Sequence, residues 1–337
     1  MRARLRDLRL WALLAAVALT LLALLLPRVT LTRQVYDFVA FVDITASMNT
    51  RDMGPEAKPV NRLDAAKTAL EELVARLPCQ SRLGLGVFTE RRSFLLFEPV
   101  EVCENFDPLE TAIGELDWRM AWEGDSMVAK GFYSAMMIAE DLKADILFLT
   151  DGQEAPPLPG GGTELPEFEG TPGKVKGLLV GVGGHEKVPL PKFDDEGHEV
   201  GTYSADEIPQ ENRTGSPPPD AQMRPGYHPK WAPFGTDPPT GEEHLTSVRS
   251  EHLATVASRV GLGHVDLVDG HDLLDALAEH AHPRPVQVAV DIRPLPGALA
   301  LATLVALYLA PLFSRFSLFR RKRPSNPMPI GGVALRA

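Results

Sequence analysis

A run of apolar, β-prone residues, Tyr36-Asp37-Phe38-Val39-Ala40-Phe41-Val42, breaks at Asp43 into a loop rich in hydroxyls. Near-continuous apolarity over so few residues predicts a strand buried on both faces. The period then changes. Leu63, Ala66, Leu70, Leu73, Val74 and Leu77 recur at helical spacing, which predicts a helix over 62–77, ended by Pro78. Residues 82–88 and 93–97 read as the strands of an antiparallel hairpin, and 108–116 and 126–142 as helices. The run DILFLT at 145–150 ends in Asp151-Gly152 and predicts a central parallel strand, a pattern that 176–183 repeats. Helix over 250–260, strand over 264–268 and helix over 272–280 complete the series. The fold class is therefore α/β: a doubly wound, mainly parallel open sheet of Rossmann-like type. In such sheets ligands bind beyond the carboxyl ends of the strands, where the winding reverses. Asp43 and Asp151 both fall at such ends.

Two further apolar stretches, 8–26 and 296–313, lack this alternation; the first holds one charge, Arg9, and the second none. Each is about the length that crosses a hydrocarbon core of roughly 30 Å as a helix. A cleaved signal peptide is the alternative for the first, but no small-x-small cleavage pattern follows Leu26-Pro27-Arg28. Arg2, Arg4, Arg6 and Arg9 precede the first stretch, and Arg315, Arg320, Arg321, Lys322 and Arg323 follow the second. The positive-inside rule then places both termini in the cytoplasm and the segment between them outside. The expected order is a cytoplasmic N-terminus (1–7), a transmembrane helix (8–27), the α/β domain (36–283), a linker (284–295), a second transmembrane helix (296–313) and a basic cytoplasmic tail (314–337). A Pro-rich insertion at 206–243, with Tyr227, Trp231 and Phe234 among its prolines, is either a solvated spacer or a partner-binding segment.

The net charge is −11, although residues 1–9 carry +3 and residues 315–337 carry +6, so the domain between them is strongly acidic. That argues against nucleic acid and anionic lipid as its partners, and for cations or basic protein surfaces. The two cysteines, Cys79 and Cys103, flank the expected hairpin at one end. A disulfide fits that geometry and an oxidising compartment; two separate thiols are the alternative.

Asp43, Thr45 and Ser47 alternate after the first strand, a compact set of hard oxygen donors suited to Mg²⁺ or Ca²⁺. Alone, each has a plainer use, Asp as a loop cap and Ser126 as a helix N-cap. Together with Ser126 in Gly124-Asp125-Ser126, and with Asp151 in Thr150-Asp151-Gly152, the pattern resembles von Willebrand factor type A domains that carry a metal-ion-dependent adhesion site. That site takes D-x-S-x-S, a later Thr and an Asp after the central strand. Here Thr45 stands for the first Ser and Ser126 for the Thr, so the hydroxyls are kept. Ser47-Met48, Asp52 and Asn61-Arg62-Leu63-Asp64-Ala65-Ala66-Lys67 are similar to membrane-anchored bacterial members. The resemblance implies that Thr45, Ser47 and Ser126 ligate a divalent cation, Mg²⁺ first and Ca²⁺ or Mn²⁺ as alternatives. Asp43 and Asp151 would hold its waters, and a partner protein's carboxylate would complete the shell.

No catalytic triad, phosphate loop or zinc-hydrolase motif accompanies these residues, and the nine histidines show no zinc-like spacing. The sequence thus reads as a binding protein and not an enzyme. Among anchored bacterial relatives it resembles the maturation proteins of methanol dehydrogenase gene clusters, which implies assistance to a periplasmic, calcium-dependent dehydrogenase, alone or with sister maturation proteins. The alternative is an aerotolerance or envelope-stress adaptor that works with a MoxR-family ATPase.

Overall fold

The computed structural model describes residues 8–25, 29–120, 125–194, 196–236 and 241–320. The chain divides into two units, one of residues 34–286 and one of the terminal segments 1–33 and 287–337. The expected cytoplasmic N-terminus (1–7), the end of the first apolar stretch (26–27), Gly124, Pro238-Pro239 and positions 321–337 of the basic tail lie outside the described residues.

The larger unit is built on β1 (Asp37–Asp43), α1 (Arg62–Arg76), β2 (Arg82–Thr89), β3 (Arg92–Glu101), α2 (Phe106–Gly114), α3 (Val128–Leu142), β4 (Asp145–Thr150), β5 (Gly177–Gly181), α4 (Ser250–Val260), β6 (Gly263–Asp266) and α5 (Leu273–His280). Its six-stranded sheet has the order β6-β5-β4-β1-β2-β3. All neighbours are parallel except β3, which returns antiparallel to β2. The winding reverses between β1 and β4, so the ends of these two strands, at Asp43 and Asp151, are adjacent.

Strand alternation divides the core. Phe38, Ala40 and Val42 of β1 face a cluster with Leu63, Leu70 and Leu73 of α1 and Leu277 of α5. Val39 and Phe41 face the other, with Phe132 and Met136 of α3 and Leu253 and Val256 of α4. Successive side chains point to opposite faces, so a strand covered on both sides has no polar position to spare. Phe148 of β4 packs at 5.3 Å, edge-on, against Phe132 and at 5.7 Å against Phe88. Gly131 leaves room for Phe88: a Cβ there would lie 1.9 Å from its ring.

Several boundaries differ from the sequence expectation. Helix α2 starts at Phe106, because Pro108 sits comfortably in a first turn that needs no N–H from it. Helix α3 starts at Val128, since the backbone of Ser126 bonds with Ala155 instead of capping the helix. Strand 264–268 ends at Asp266 and passes into a 3₁₀ turn, Leu267–Asp269. The expected linker (284–295) contains a strand, Arg284–Val290, paired with Val29–Val35. Alternation in VTLTRQV and RPVQVAV is its sequence signal.

Both terminal apolar stretches are helical, Leu8–Leu25 and Pro294–Arg320, and they pack on each other. Among the described residues no helix is long and apolar enough to cross a membrane. The 18 residues of the first rise about 27 Å, slightly under the roughly 30 Å of a hydrocarbon core.

Candidate metal centre

The Asn61 side chain accepts the Asp64 N–H at 2.6 Å, capping α1 and fixing where Arg62 begins it. The preceding loop carries the candidate ligands. Asp43 is the last residue of β1 and fully buried; Thr45 immediately precedes, and Ser47 lies within, the 3₁₀ turn that follows, Ala46–Asn49. Thr45 donates to Asp43 Oδ1 through its N–H (2.9 Å) and its hydroxyl (2.7 Å), while Thr150 Oγ1 donates to Oδ2 at 2.5 Å. Thr45 Oγ1 and Ser47 Oγ stand 3.4 Å apart.

Ser126 is held by a pair of 2.6 Å backbone bonds to Ala155. With Thr45 and Ser47 it lines a cavity of about 330 Å³ at the carboxyl end of the sheet. The Ser126 hydroxyl is buried without a hydrogen-bond partner, and so is the Gln153 Oε1 that shares the cavity. Asp125 is exposed at its rim. The structure thus brings the three hydroxyls to one space and sets Asp43 behind them.

Asp151 follows β4 and is also fully buried. The turn beyond it depends on Gly152 at φ +79°, where a Cβ would meet Leu253 at 2.8 Å. Its Oδ1 accepts the Gln153 N–H at 2.9 Å, and its Oδ2 accepts Arg62 Nη1 at 2.6 Å. Arg62 is fully buried; it also donates to Thr246 at 2.8 Å and engages both oxygens of Asp52. Asp52 accepts the Gly184 N–H as well, at 2.9 Å. Burial works against the Arg62 charge, but Asp151 and Asp52 outweigh it and hold the guanidinium protonated. Truncating one member of such a buried ion network typically costs about 3–5 kcal/mol.

Sequence reasoning placed Arg62 and Asp52 within a motif but gave them no role, and Thr150 and Gln153 none at all. An arginine opening an otherwise apolar helix face was the available signal.

Burial, then the neighbouring Asp151 charge, pushes the Asp43 carboxyl up to about 7, against the bonds from Thr150 and Thr45. Two buried acids, one of them already committed to Arg62, leave a shortfall of positive charge behind three hydroxyls. Hydroxyl donors with acids set behind them, and an orphaned Ser126 Oγ, fit a hard, hydrated divalent ion.

The remaining wall of the cavity was not foreseen. Leu190, Tyr203, Glu207 and Ile208 contribute to it, from the long segment between β5 and α4. Small paired strands order this segment: Val188–Pro189 with Leu245–Thr246, and Pro191–Phe193 with Glu199–Thr202. Its Pro-rich part holds Arg224 between Glu211 and Asp220, with Trp231 and Met223 exposed.

At the opposite end of the hairpin Cys79 and Cys103 form a disulfide, with Cα atoms 5.3 Å apart.

Residues 38–153 match the family model of the von Willebrand factor type A domain. No curated protein matches the chain. Among solved structures it is similar to an uncharacterized membrane-spanning protein from Vibrio fischeri, at 16% identity over 72% of this chain and 94% of that one, with a TM-score of 0.27. It is also similar to the ArnB paralog VWA2 from Sulfolobus acidocaldarius (13% identity, 45% of this chain and 36% of that one, TM-score 0.28). A third similarity is to proximal thread matrix protein 1 from the mussel byssus (17% identity, 37% and 32%, TM-score 0.27). The chain spans about a third of the last two.

Proposed function

With a von Willebrand factor type A domain as the premise, we propose that this chain is a binding protein whose divalent cation joins it to a partner protein. Thr45, Ser47 and Ser126 supply hydroxyl ligands, and Asp43 and Asp151 hold coordinated waters. One position stays open for a partner carboxylate. The observation that carries this reading is the buried Ser126 hydroxyl, which has no hydrogen-bond partner and belongs to a residue that lines the same cavity as Thr45 and Ser47. Neutral ligands leave the ion electrophilic, which favours capture of an anionic group. Mg²⁺ suits the set best, with Mn²⁺ and Ca²⁺ as substitutes. With both acids buried behind the ligands, neither is placed as a general base, and the role is binding and not catalysis.

The test is a titration of Mn²⁺ into the full chain. Ser126→Ala should weaken binding about tenfold or more while leaving the melting temperature unchanged; undiminished affinity in that variant would sink the reading.

The two apolar terminal helices serve as membrane anchors in this reading, with the domain in the bacterial periplasm. Exposed Trp11, Val17, Leu24, Leu299, Leu301 and Tyr308 support a non-aqueous surrounding. The finer reading, by resemblance, is assistance to calcium insertion into a periplasmic methanol dehydrogenase. Deleting the gene should leave dehydrogenase polypeptide that is calcium-poor and inactive, by metal analysis of the purified enzyme. Fully loaded enzyme from the deletion strain would favour the ATPase-linked adaptor instead.

A further inference from the structure

Strand β6 lies at the edge of the sheet, and its last residue, Asp266, pairs in register with Gly181 at the end of β5. Asp266 is only 6% exposed. The 3₁₀ turn Leu267–Asp269 brings Asp269 back beside it, and the loop after β5 brings His185. One ligand atom from each of His185, Asp266 and Asp269 lies within 4.8 Å of the other two. His185 Nε2 stands 3.2 Å from Asp269 Oδ1.

We propose that these three residues form a second cation site, for a first-row transition ion of the Zn²⁺ class, separate from the hydroxyl-lined centre.

A second, independent observation points to a ligand there. Asp266 Oδ2 accepts the Ser250 hydroxyl, but Oδ1 is buried and makes no hydrogen bond. His264 Nε2 stands 3.3 Å from that oxygen, an ion pair only when the imidazole is protonated, and is itself buried without a hydrogen bond. Such orphaned atoms are rare in folded proteins and call for an occupant or a function. The fold also makes room for this carboxylate: a Cβ on Gly181 would sit 1.9 Å from Asp266 Oδ1. Asp266 therefore lies over the end of β5, where only a glycine permits it.

The donor set decides the class of ion. One imidazole and two carboxylates suit a borderline metal; Mg²⁺ prefers oxygen alone. Ligand–zinc distances of about 2.0–2.1 Å place tetrahedral donor atoms roughly 3.3 Å apart. The His185–Asp269 separation already has that length, and rotation of these two exposed side chains can close the rest. Three protein ligands leave the fourth position to water or to an incoming donor. His185 and Asp266 are distant in the sequence, so residue spacing gives no hint of the site.

The test is Zn²⁺ competition against a chromophoric chelator, using the full chain stripped of metal. His185→Ala and Asp269→Ala, both at exposed positions, should each weaken Zn²⁺ binding about tenfold or more without changing the melting temperature. With Co²⁺ as the probe, the visible absorption of the bound ion should be lost in His185→Ala. No Zn²⁺ binding by the unmodified chain, or equal binding by the His185→Ala/Asp269→Ala double variant, would each overturn the proposal.

Discussion

Asp43 ends a strand inside the protein, and burial together with Asp151 lifts its carboxyl to about 7 from an ordinary 3.8. Because the folded value lies above the unfolded one, the folded chain binds this proton more tightly. The group therefore favours folding most below about pH 4, and that contribution is lost as pH rises through about 7. A cation at the site reverses the relation, since it needs the ionised acid. Mg²⁺ should then raise the melting temperature more at pH 8 than at pH 6. Its apparent affinity should fall by up to about tenfold per pH unit below 7, where binding must release the proton. Thermal melts with and without Mg²⁺ test this, and Asp43→Asn should flatten the dependence. Equal Mg²⁺ shifts at both pH values would contradict it.

Strands β2 and β3 are flanked by a disulfide whose contribution to the stability of the fold can be measured. Cys79 and Cys103 are separated by 24 residues, and constraining a loop of that length in the unfolded chain stabilises the fold by about 3 kcal/mol. Replacing both by Ser should lower the urea midpoint accordingly; an unchanged midpoint would show that the bond adds nothing. The elements were legible to different degrees, for physical reasons. Residues 145–150 matched β4 to the residue, because a strand covered on both faces leaves an unbroken apolar run. Residues 250–260 matched α4, where helical spacing is bounded by a turn residue, Gly261. Ser126 did not cap its helix, since a backbone pairing with Ala155 took precedence, and no local pattern encodes that. The short strands flanking the Pro-rich segment were missed because two or three residues are too few to show a period.

At the scale of the molecule, what the sequence left unread is tertiary. Arg62 meets partners 10, 89 and 184 residues away, so its place at the centre of the site follows only from the assembled sheet. The wall that Leu190, Tyr203 and Ile208 add to the cavity has the same origin. Asp43, Thr45, Ser47 and Asp151 sit where the apolar runs mark strand ends and loops, whereas Ser126 was read as the start of a helix that begins at Val128. The same sheet has a consequence for force. Residues 34–286 are entered and left at one pole: Asp37, which opens β1, pairs with Arg284 at 2.8 Å. The candidate cation site lies at the other pole, about 20 Å away along β1. A partner that grips the ion while the chain ends are held would pull β1 lengthwise. Both its neighbours, β2 and β4, run parallel to it in continuous register. Between the loop that follows Asp43 and the chain entry at residue 34, that load would be carried by the extended backbone of β1 itself, and the ladders on either side need not break. A pull between the candidate site and held chain ends would run along a strand that is already fully extended and so has little length to give.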